Sequence, residues 1–531
     1  MTKVRSWSYL ALASILLVGA AKHALAQTTE PILRLELGTH NASIFSLASD
    51  PSNRILVTGS EDKTVRVWDI SGDARLLRVL RPFVGEGEQG QIFAVALAPD
   101  GRTIACGGRT GEPKKGDGCV YLFDRETGIL TRRLSGLPGW VQHLIYTADG
   151  RFLVAVASER GGKVDWTGMS VFRLPDYQLV AEDRDYGNFI RSVESDPSGA
   201  KLATSCLDGF VRLYDLSALK PPNTASPRTL APVSKIRPPG GPHPWGLAFS
   251  PDGTRLAVGF NLITRVDVLE IKGDTLVPAY APDATGAGEG MEKDFHAVAW
   301  SSDGRFLYAG GGHRLKKERQ IRKWAEGGRG KYRDLPVGVE LPIQSILPLA
   351  AGGVVYASRD GSFGIINARD ETRLLSPKVI PIYAANEKGL LISPDGAAVQ
   401  FAYERGGKGP AIFAVPERQL TDTASNLWAG LKAGLTFQAP IIDGLDISDW
   451  ETSLNPKLKG RPLQLNQEVA KCLAIKSDLT GFLIGTTHAL RLFDPVGKIL
   501  WRVRMPGVVW GVNTSGRVAL AALGDGTIRW Y

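Results

Sequence analysis

Apolar and polar residues alternate with a period of two through most of this chain. Ile92-Phe-Ala-Val-Ala-Leu97 and Trp245-Gly-Leu-Ala-Phe249 are typical of a first kind of segment. A turn follows each, then a second short run such as Arg54-Ile-Leu-Val-Thr58 or Lys201-Leu-Ala-Thr204. A third run follows another tight turn, as in Thr64-Val-Arg-Val-Trp68 and Phe210-Val-Arg-Leu-Tyr214. Alternation, β-branched and aromatic enrichment, and punctuation by Gly, Asp and Asn predict short strands throughout. Beyond residue 26 the pattern predicts no amphipathic helix of ordinary length.

The strands are organised by a repeat. A turn of the type Ser/Ala-Pro/Ala-Asp-Gly follows the first strand at Ala98–Gly101, Thr147–Gly150, Ser250–Gly253, Ser301–Gly304 and Ser393–Gly396. Looser copies stand at Asp50–Asn53, Asp196–Gly199 and Asn513–Gly516. Successive copies from Asn53 to Gly304 lie about 50 residues apart, a propeller-blade period and not that of a helical repeat. The prediction is an all-β propeller of about ten to eleven four-stranded units. Single rings hold four to eight blades, so two rings are expected. Residues 27–382 would hold about seven units, and 383–531 three to four, one of them degenerate. The alternative is one large closed ring, with the spare strand Ile32–Leu37 completing the last unit. Two segments interrupt the repeat: Lys220–Gly246, with eight prolines, reads as an extended loop, and Asn426–Gln467 as a distorted unit or insertion.

The first unit contains Gly38-Thr39-His40 and then Gly59-Ser60-Glu61-Asp62-Lys63-Thr64-Val65-Arg66-Val67-Trp68-Asp69. This resembles the signature of the WD-repeat (WD40) family, whose units are propeller blades. The resemblance implies a buried hydrogen-bonded tetrad of His40, Ser60, Asp62 and Trp68 that ties the strands of one blade together. Each link would contribute about 0.5–1.5 kcal/mol. The same residue types could be read as a hydrolase triad, but a tetrad buried between strands lacks an oxyanion hole. Other units are degenerate. The fourth has Cys206 in place of the Ser and Tyr214 in place of the Trp, and Phe123-Asp124 and Phe493-Asp494 replace Trp-Asp elsewhere. Such units are expected to lose the polar chain and to rely on apolar burial between sheets.

The first 26 residues stand outside this pattern. Lys3 and Arg5 precede an apolar run from Tyr9 to Ala21, and Ala24-Leu-Ala26 supplies a small-x-small cleavage site. That is a secretory leader, too short for a spanning helix, and no later stretch reaches spanning length. The mature chain is therefore expected to be exported, periplasmic or secreted, and bacterial. In an oxidising compartment, Cys106 and Cys119, on two predicted strands joined by one loop, are candidates for a disulfide or for two free thiols. Cys206 and Cys472 read as buried thiols.

The formal charge is +9, of which the leader carries Lys3, Arg5 and Lys22. That mild excess suits an acidic partner and does not call for nucleic acid. The densest charge is Arg314, Lys316, Lys317, Arg319, Arg322 and Lys323, read either as a docking patch for an anionic partner or as a solvated loop. Aromatic interleaving for single-stranded nucleic acid is absent there.

No Gly-x-Ser-x-Gly elbow, phosphate-binding Gly-rich loop or His-Glu-x-x-His occurs, and the histidines are too scattered to suggest a metal. Neither cofactor nor catalytic residue is expected. Phe493-Asp494-Pro-Val-Gly497-Lys498-Ile-Leu-Trp501 resembles the docking motif of quinoprotein dehydrogenases, once only. Asp449-Trp450…Gly460, Leu490–Trp501 and Gly524–Tyr531 resemble the WD-repeat region of exported bacterial proteins that continue into a caspase-like peptidase domain; no catalytic dyad carries over. The expected function is a non-catalytic, exported scaffold that binds a protein or peptide and recruits or regulates such a peptidase. The alternatives are a quinoprotein-like or hydrolytic propeller, and an envelope-binding module that uses the basic cluster on an anionic surface.

Overall fold

The computed structural model describes residues 33–34, 38–82, 88–111, 118–158, 167–217, 219, 227–287, 294–376, 390–401, 411–414, 419–422, 436–523 and 527–531. The leader lies outside these residues. Among them the chain is all-β: most strands fall into four-stranded antiparallel sheets formed by consecutive segments. The one helical element described is the 3-10 turn Glu326–Gly328.

The recurring Asp-Gly turn shows why the strands reverse where they do. The Gly adopts a left-handed conformation, with φ of 69° at Gly101, 70° at Gly150 and 69° at Gly253, where a Cβ would be strained. The Asp carboxylate accepts the backbone N–H two residues on, at 2.8 Å for Asp100 and Arg102 and 3.0 Å for Asp252 and Thr254. A preceding hydroxyl clamps the same carboxylate, as Ser301 does to Asp303 at 2.6 Å. These side chains satisfy backbone groups that the sheet ladder leaves open.

Seven first strands start the sheets between Ile44 and Ser376. They are Ile44–Ser49, Ile92–Leu97, Trp140–Tyr146, Ile190–Ser195, Pro244–Phe249, Ala297–Trp300 and Ile343–Pro348. Each packs against the next, and the seventh packs back on the first. At that return contact Ile44, Leu56 and Trp68 share one apolar cluster with Val355, Ala357 and Phe363, and Trp68 meets Phe363 edge-on with centroids 5.0 Å apart. At the rim, the Arg373 guanidinium lies 3.2 Å from Asp73.

The later sheets begin at Leu390–Ile392, Ala470–Ile475 and Val509–Ser515, and the last of these strands packs on the other two. Leu33–Arg34 pairs antiparallel with Thr527–Ile528, so the spare N-terminal strand does complete the last sheet. The weakly patterned Asn426–Gln467 contributes a small three-stranded sheet, Ile447–Ser448, Lys457–Leu458 and Arg461–Pro462.

One expectation is corrected here, and the choice left open for Cys106 and Cys119 falls against the disulfide. The proline-rich stretch is more than a loop: Ser234–Ile236 forms the outer strand of the fourth sheet, and Arg228–Thr229 pairs parallel with Ala181–Glu182 of the third. Outer strands need few ladder N–H groups, so prolines beside them are tolerated. Cys106 and Cys119 are not linked; none of the four cysteines forms a disulfide with another described residue, and all four are buried. The register sets Cys106 opposite Tyr121, which leaves Cys119 a diagonal neighbour, farther away than the usual disulfide Cα separation. The Cys119 sulfur instead accepts the Arg133 Nε–H at 3.0 Å.

Candidate functional site

The first sheet contains a polar chain, but its hydroxyl is Thr58. His40 Nδ1 lies 2.8 Å from Asp62, and His40 Nε2 lies 2.6 Å from the Thr58 hydroxyl. Trp68 Nε1–H donates to the same Thr58 oxygen at 2.9 Å. Ser60 stands elsewhere: it donates to the Ala42 carbonyl at 3.0 Å and accepts the Asp62 N–H at 3.1 Å. The fourth sheet confirms the assignment by position. Cys206 makes the turn contacts of Ser60, to the Asn188 carbonyl and the Asp208 N–H, while Thr204 lies 3.2 Å from the Tyr186 hydroxyl. Burial disfavours ionised Asp62, but the adjacent His40 and the Thr64 hydrogen bond outweigh it and hold the carboxyl well below its ordinary value.

Two degenerate sheets rebuild a polar chain rather than losing it. In the fourth, the Tyr186 hydroxyl lies 2.7 Å from that of Tyr214, which donates to Asp183 at 2.7 Å. Near the C-terminus, Glu468 accepts from Arg491 at 2.7 Å and from Arg502 at 2.6 Å. Its burial opposes ionisation, yet the Arg491 and Thr486 hydrogen bonds prevail and lower its carboxyl to about 2.

The basic cluster divides in two. Arg314, Lys316 and Lys317 are exposed on a hairpin. Arg319, Arg322 and Lys323 are buried in the strand Glu318–Trp324. Arg322 binds Asp334 through two nitrogens at 2.8 Å each and stacks on Tyr332, 3.8 Å from the ring centroid. Asp334 also receives His313 Nε2 at 3.1 Å. Lys323 reaches Asp370 at 2.5 Å and Arg319 donates to the Glu340 carbonyl at 3.2 Å. The six residues are therefore not one docking patch, because burial gives three of them internal partners.

A different site emerges where the seven first strands converge. Pairing skips a residue near the start of six of them, at Phe45, Phe93, Gln142, Arg191, Trp245 and Gln344. A bulge releases a residue from the ladder and re-aims its side chain. These six residues, with His296 from the remaining sheet, line one cavity of about 500 Å³, within the range of small-ligand sites.

Aromatic rings and guanidinium groups alternate around this cavity. Arg109 sits over Trp140 at 4.4 Å and Phe93 at 5.7 Å, and pairs with Glu88. Glu88 also lies 3.7 Å from His488 of a later sheet. Arg191 sits over Trp245 at 4.0 Å and Phe189 at 5.1 Å. Such stacking is worth about 0.5–2 kcal/mol per contact and fixes the plane of the guanidinium. Burial pulls Arg191 down to about 10, so it remains a cation at neutral pH. His296 Nδ1 lies 3.0 Å from Asp294, and its Nε2 has no hydrogen-bond partner.

Glu194, half-buried on the same wall, is pushed up to about 8 by desolvation. A carboxyl raised above its unfolded value of about 4.5 holds its proton longer in the folded state. Stability from this group is then full below pH 4.5 and declines as pH rises through 8. We expect Glu194→Gln to match the native chain near pH 5 and to exceed it by about 1–3 kcal/mol near pH 9, after discounting for water in the cavity. Parallel pH profiles of thermal unfolding would contradict this.

Among the described residues no group of His, Cys, Asp and Glu is placed to hold a metal ion. No helix of the described residues is long and apolar enough to cross a membrane.

Comparison with known proteins agrees with the sheet geometry. Residues 31–69, 77–124 and 180–215 match the family described as WD domain, G-beta repeat, so the chain carries WD40 repeats. It is similar to the guanine nucleotide-binding protein subunit beta of Oryza sativa, 37% identical over 34% of this chain and 45% of that protein. The small ribosomal subunit protein RACK1y of the same organism is 26% identical over 33% of this chain and 48% of that one. The small ribosomal subunit protein RACK1 of Candida albicans is 26% identical over 52% of this chain and 93% of its own length. The chain thus spans less than half the length of the two rice proteins.

Proposed function

We propose that this chain is an exported, non-catalytic WD-repeat scaffold, built as two propeller units over 27–382 and 383–531, that binds a protein or peptide partner at the mouth of the first. The observation that carries the reading is the convergence of seven first strands, six of them bulged, on one cavity. The sheets give a rigid frame, and the skipped residues place aromatic and charged groups at its centre while the rest of each ladder stays paired. Export rests on the leader-like first 26 residues, and recruitment of a caspase-like peptidase on the C-terminal resemblance.

Affinity capture with the folded mature chain, from periplasmic extract, should recover one protein in stoichiometric amount. Repeated capture of nothing beyond the background of a denatured bait would sink the reading. A second reading, docking to an anionic envelope surface, is favoured only by the exposed hairpin cations Arg314, Lys316 and Lys317. It requires salt-sensitive sedimentation with anionic lipid vesicles that the triple alanine variant abolishes.

A further inference from the structure

We infer that the cavity takes a single carboxylate on a partner peptide, beside an apolar or aromatic residue, with Arg191 binding the carboxylate and the flanking rings packing its neighbour. This rests on the scaffold reading and specifies the chemistry of the partner.

Four observations converge on this. First, among the described residues no carboxylate pairs with Arg191, and its Nε has no hydrogen-bond partner. Arg109, its counterpart across Trp140, has Glu88. Arg191 is half-buried, and a guanidinium partly out of water without an anion is costly; a ligand carboxylate relieves that cost. Secondly, Trp245 and Phe189 cover Arg191 at 4.0 and 5.1 Å. Stacking leaves the coplanar N–H edges of the guanidinium as its open face, the geometry that matches a carboxylate.

Thirdly, His296 lines the cavity and is only 5% exposed, and its Nε2 is a buried atom without a hydrogen-bond partner. With Nδ1–H donating to Asp294, Nε2 is an acceptor. A peptide backbone has the N–H it lacks; a simple carboxylate such as acetate does not. Fourthly, the charge balance suits a monoanion. Among the described residues lining the wall, half-buried Arg191 and exposed Arg359 have no carboxylate partner, and Glu61 offsets one of them, which leaves a net charge of one. A phosphoryl dianion would be undercompensated there. Glu194, protonated near neutrality, adds no repulsion to a bound carboxylate.

The test uses the mature full chain and fluorescein-labelled Gly-Phe-Asp-Phe-Gly-amide, with Asn, Lys or phosphoserine in place of Asp, read by anisotropy. The Asp peptide should bind at least tenfold more tightly than the Asn and Lys peptides. Arg191→Met should erase that preference, Arg191→Lys should keep part of it, and Trp245→Ala should weaken all the peptides together. Equal affinity for Asp and Asn, no binding to the folded chain, an undiminished preference in Arg191→Met, or tighter binding of phosphoserine would each overturn the inference. The comparison of Asp with Asn on the native chain decides the matter even if a variant fails to fold. A captured partner held equally by Arg191→Met would leave the scaffold reading standing and remove this one. Peptide binding with no captured partner would count against the scaffold instead.

Discussion

Replacing Thr58 with Val should lower the stability of the chain by about 2–4 kcal/mol, whereas Ser60→Ala should cost about 0.5–1.5 kcal/mol. Val keeps the branched shape and the strand preference but removes the oxygen shared by His40 Nε2 and Trp68 Nε1. Both partners are buried, at 0% and 2% exposure, so each forfeits its hydrogen bond without gaining water. Ser60 serves only the turn. Thermal unfolding followed by far-UV circular dichroism separates the two, and a larger loss for Ser60→Ala would overturn the assignment of Thr58.

The largest single effect is expected at Arg322. Arg322→Met strips Asp334 of a two-point ion pair and leaves His313 as its remaining side-chain partner. It also removes donors to the Asp283 and Thr285 carbonyls. Breaking a buried pair from one side costs about 3–5 kcal/mol. The triple change of Arg314, Lys316 and Lys317 to Ala touches only the exposed hairpin and should shift stability by no more than about 0.5 kcal/mol per site. Comparable losses in the two variants would show that the cluster is not divided by burial as described.

How far the sequence discloses this architecture can be judged from particular residues. The turns at Gly101, Gly150 and Gly253 were legible because Asp-Gly has a local job, which the structure shows as a left-handed Gly and a capped N–H. The choice between Thr58 and Ser60 was not legible. They lie two apart on one strand and so share a face; only the register, which sets Trp68 opposite Leu56 and Arg66 opposite Thr58, decides which hydroxyl the indole meets. The division of the basic cluster was hidden for a similar reason. Two of its buried members, Arg322 and Lys323, are neutralised by Asp334 and Asp370, which a local count of charge does not connect to them.

The cavity was missed, though a signal for it exists. Phe45, Phe93, Gln142, Arg191, Trp245, His296 and Gln344 each stand eight residues before the last residue of a turn, from Asn53 to Gly352. Aligning the repeats on their turns would have exposed this column. Its members are chemically unlike one another, and a search for a shared residue type passes over them. The missing disulfide has the opposite lesson: loop length brought Cys106 and Cys119 near one another, and register kept their sulfurs apart.

The account turns on the seventh sheet meeting the first, since that contact closes the cavity wall. The most direct measurement is cross-linking of a Asp73→Cys, Arg373→Cys chain with a short bismaleimide; the native cysteines are buried and stay unreactive. The account predicts rapid conversion to an internally linked monomer of altered gel mobility, absent from either single-cysteine chain under the same native conditions. Ready labelling of each cysteine singly, with no internal link formed in the folded chain, would contradict it.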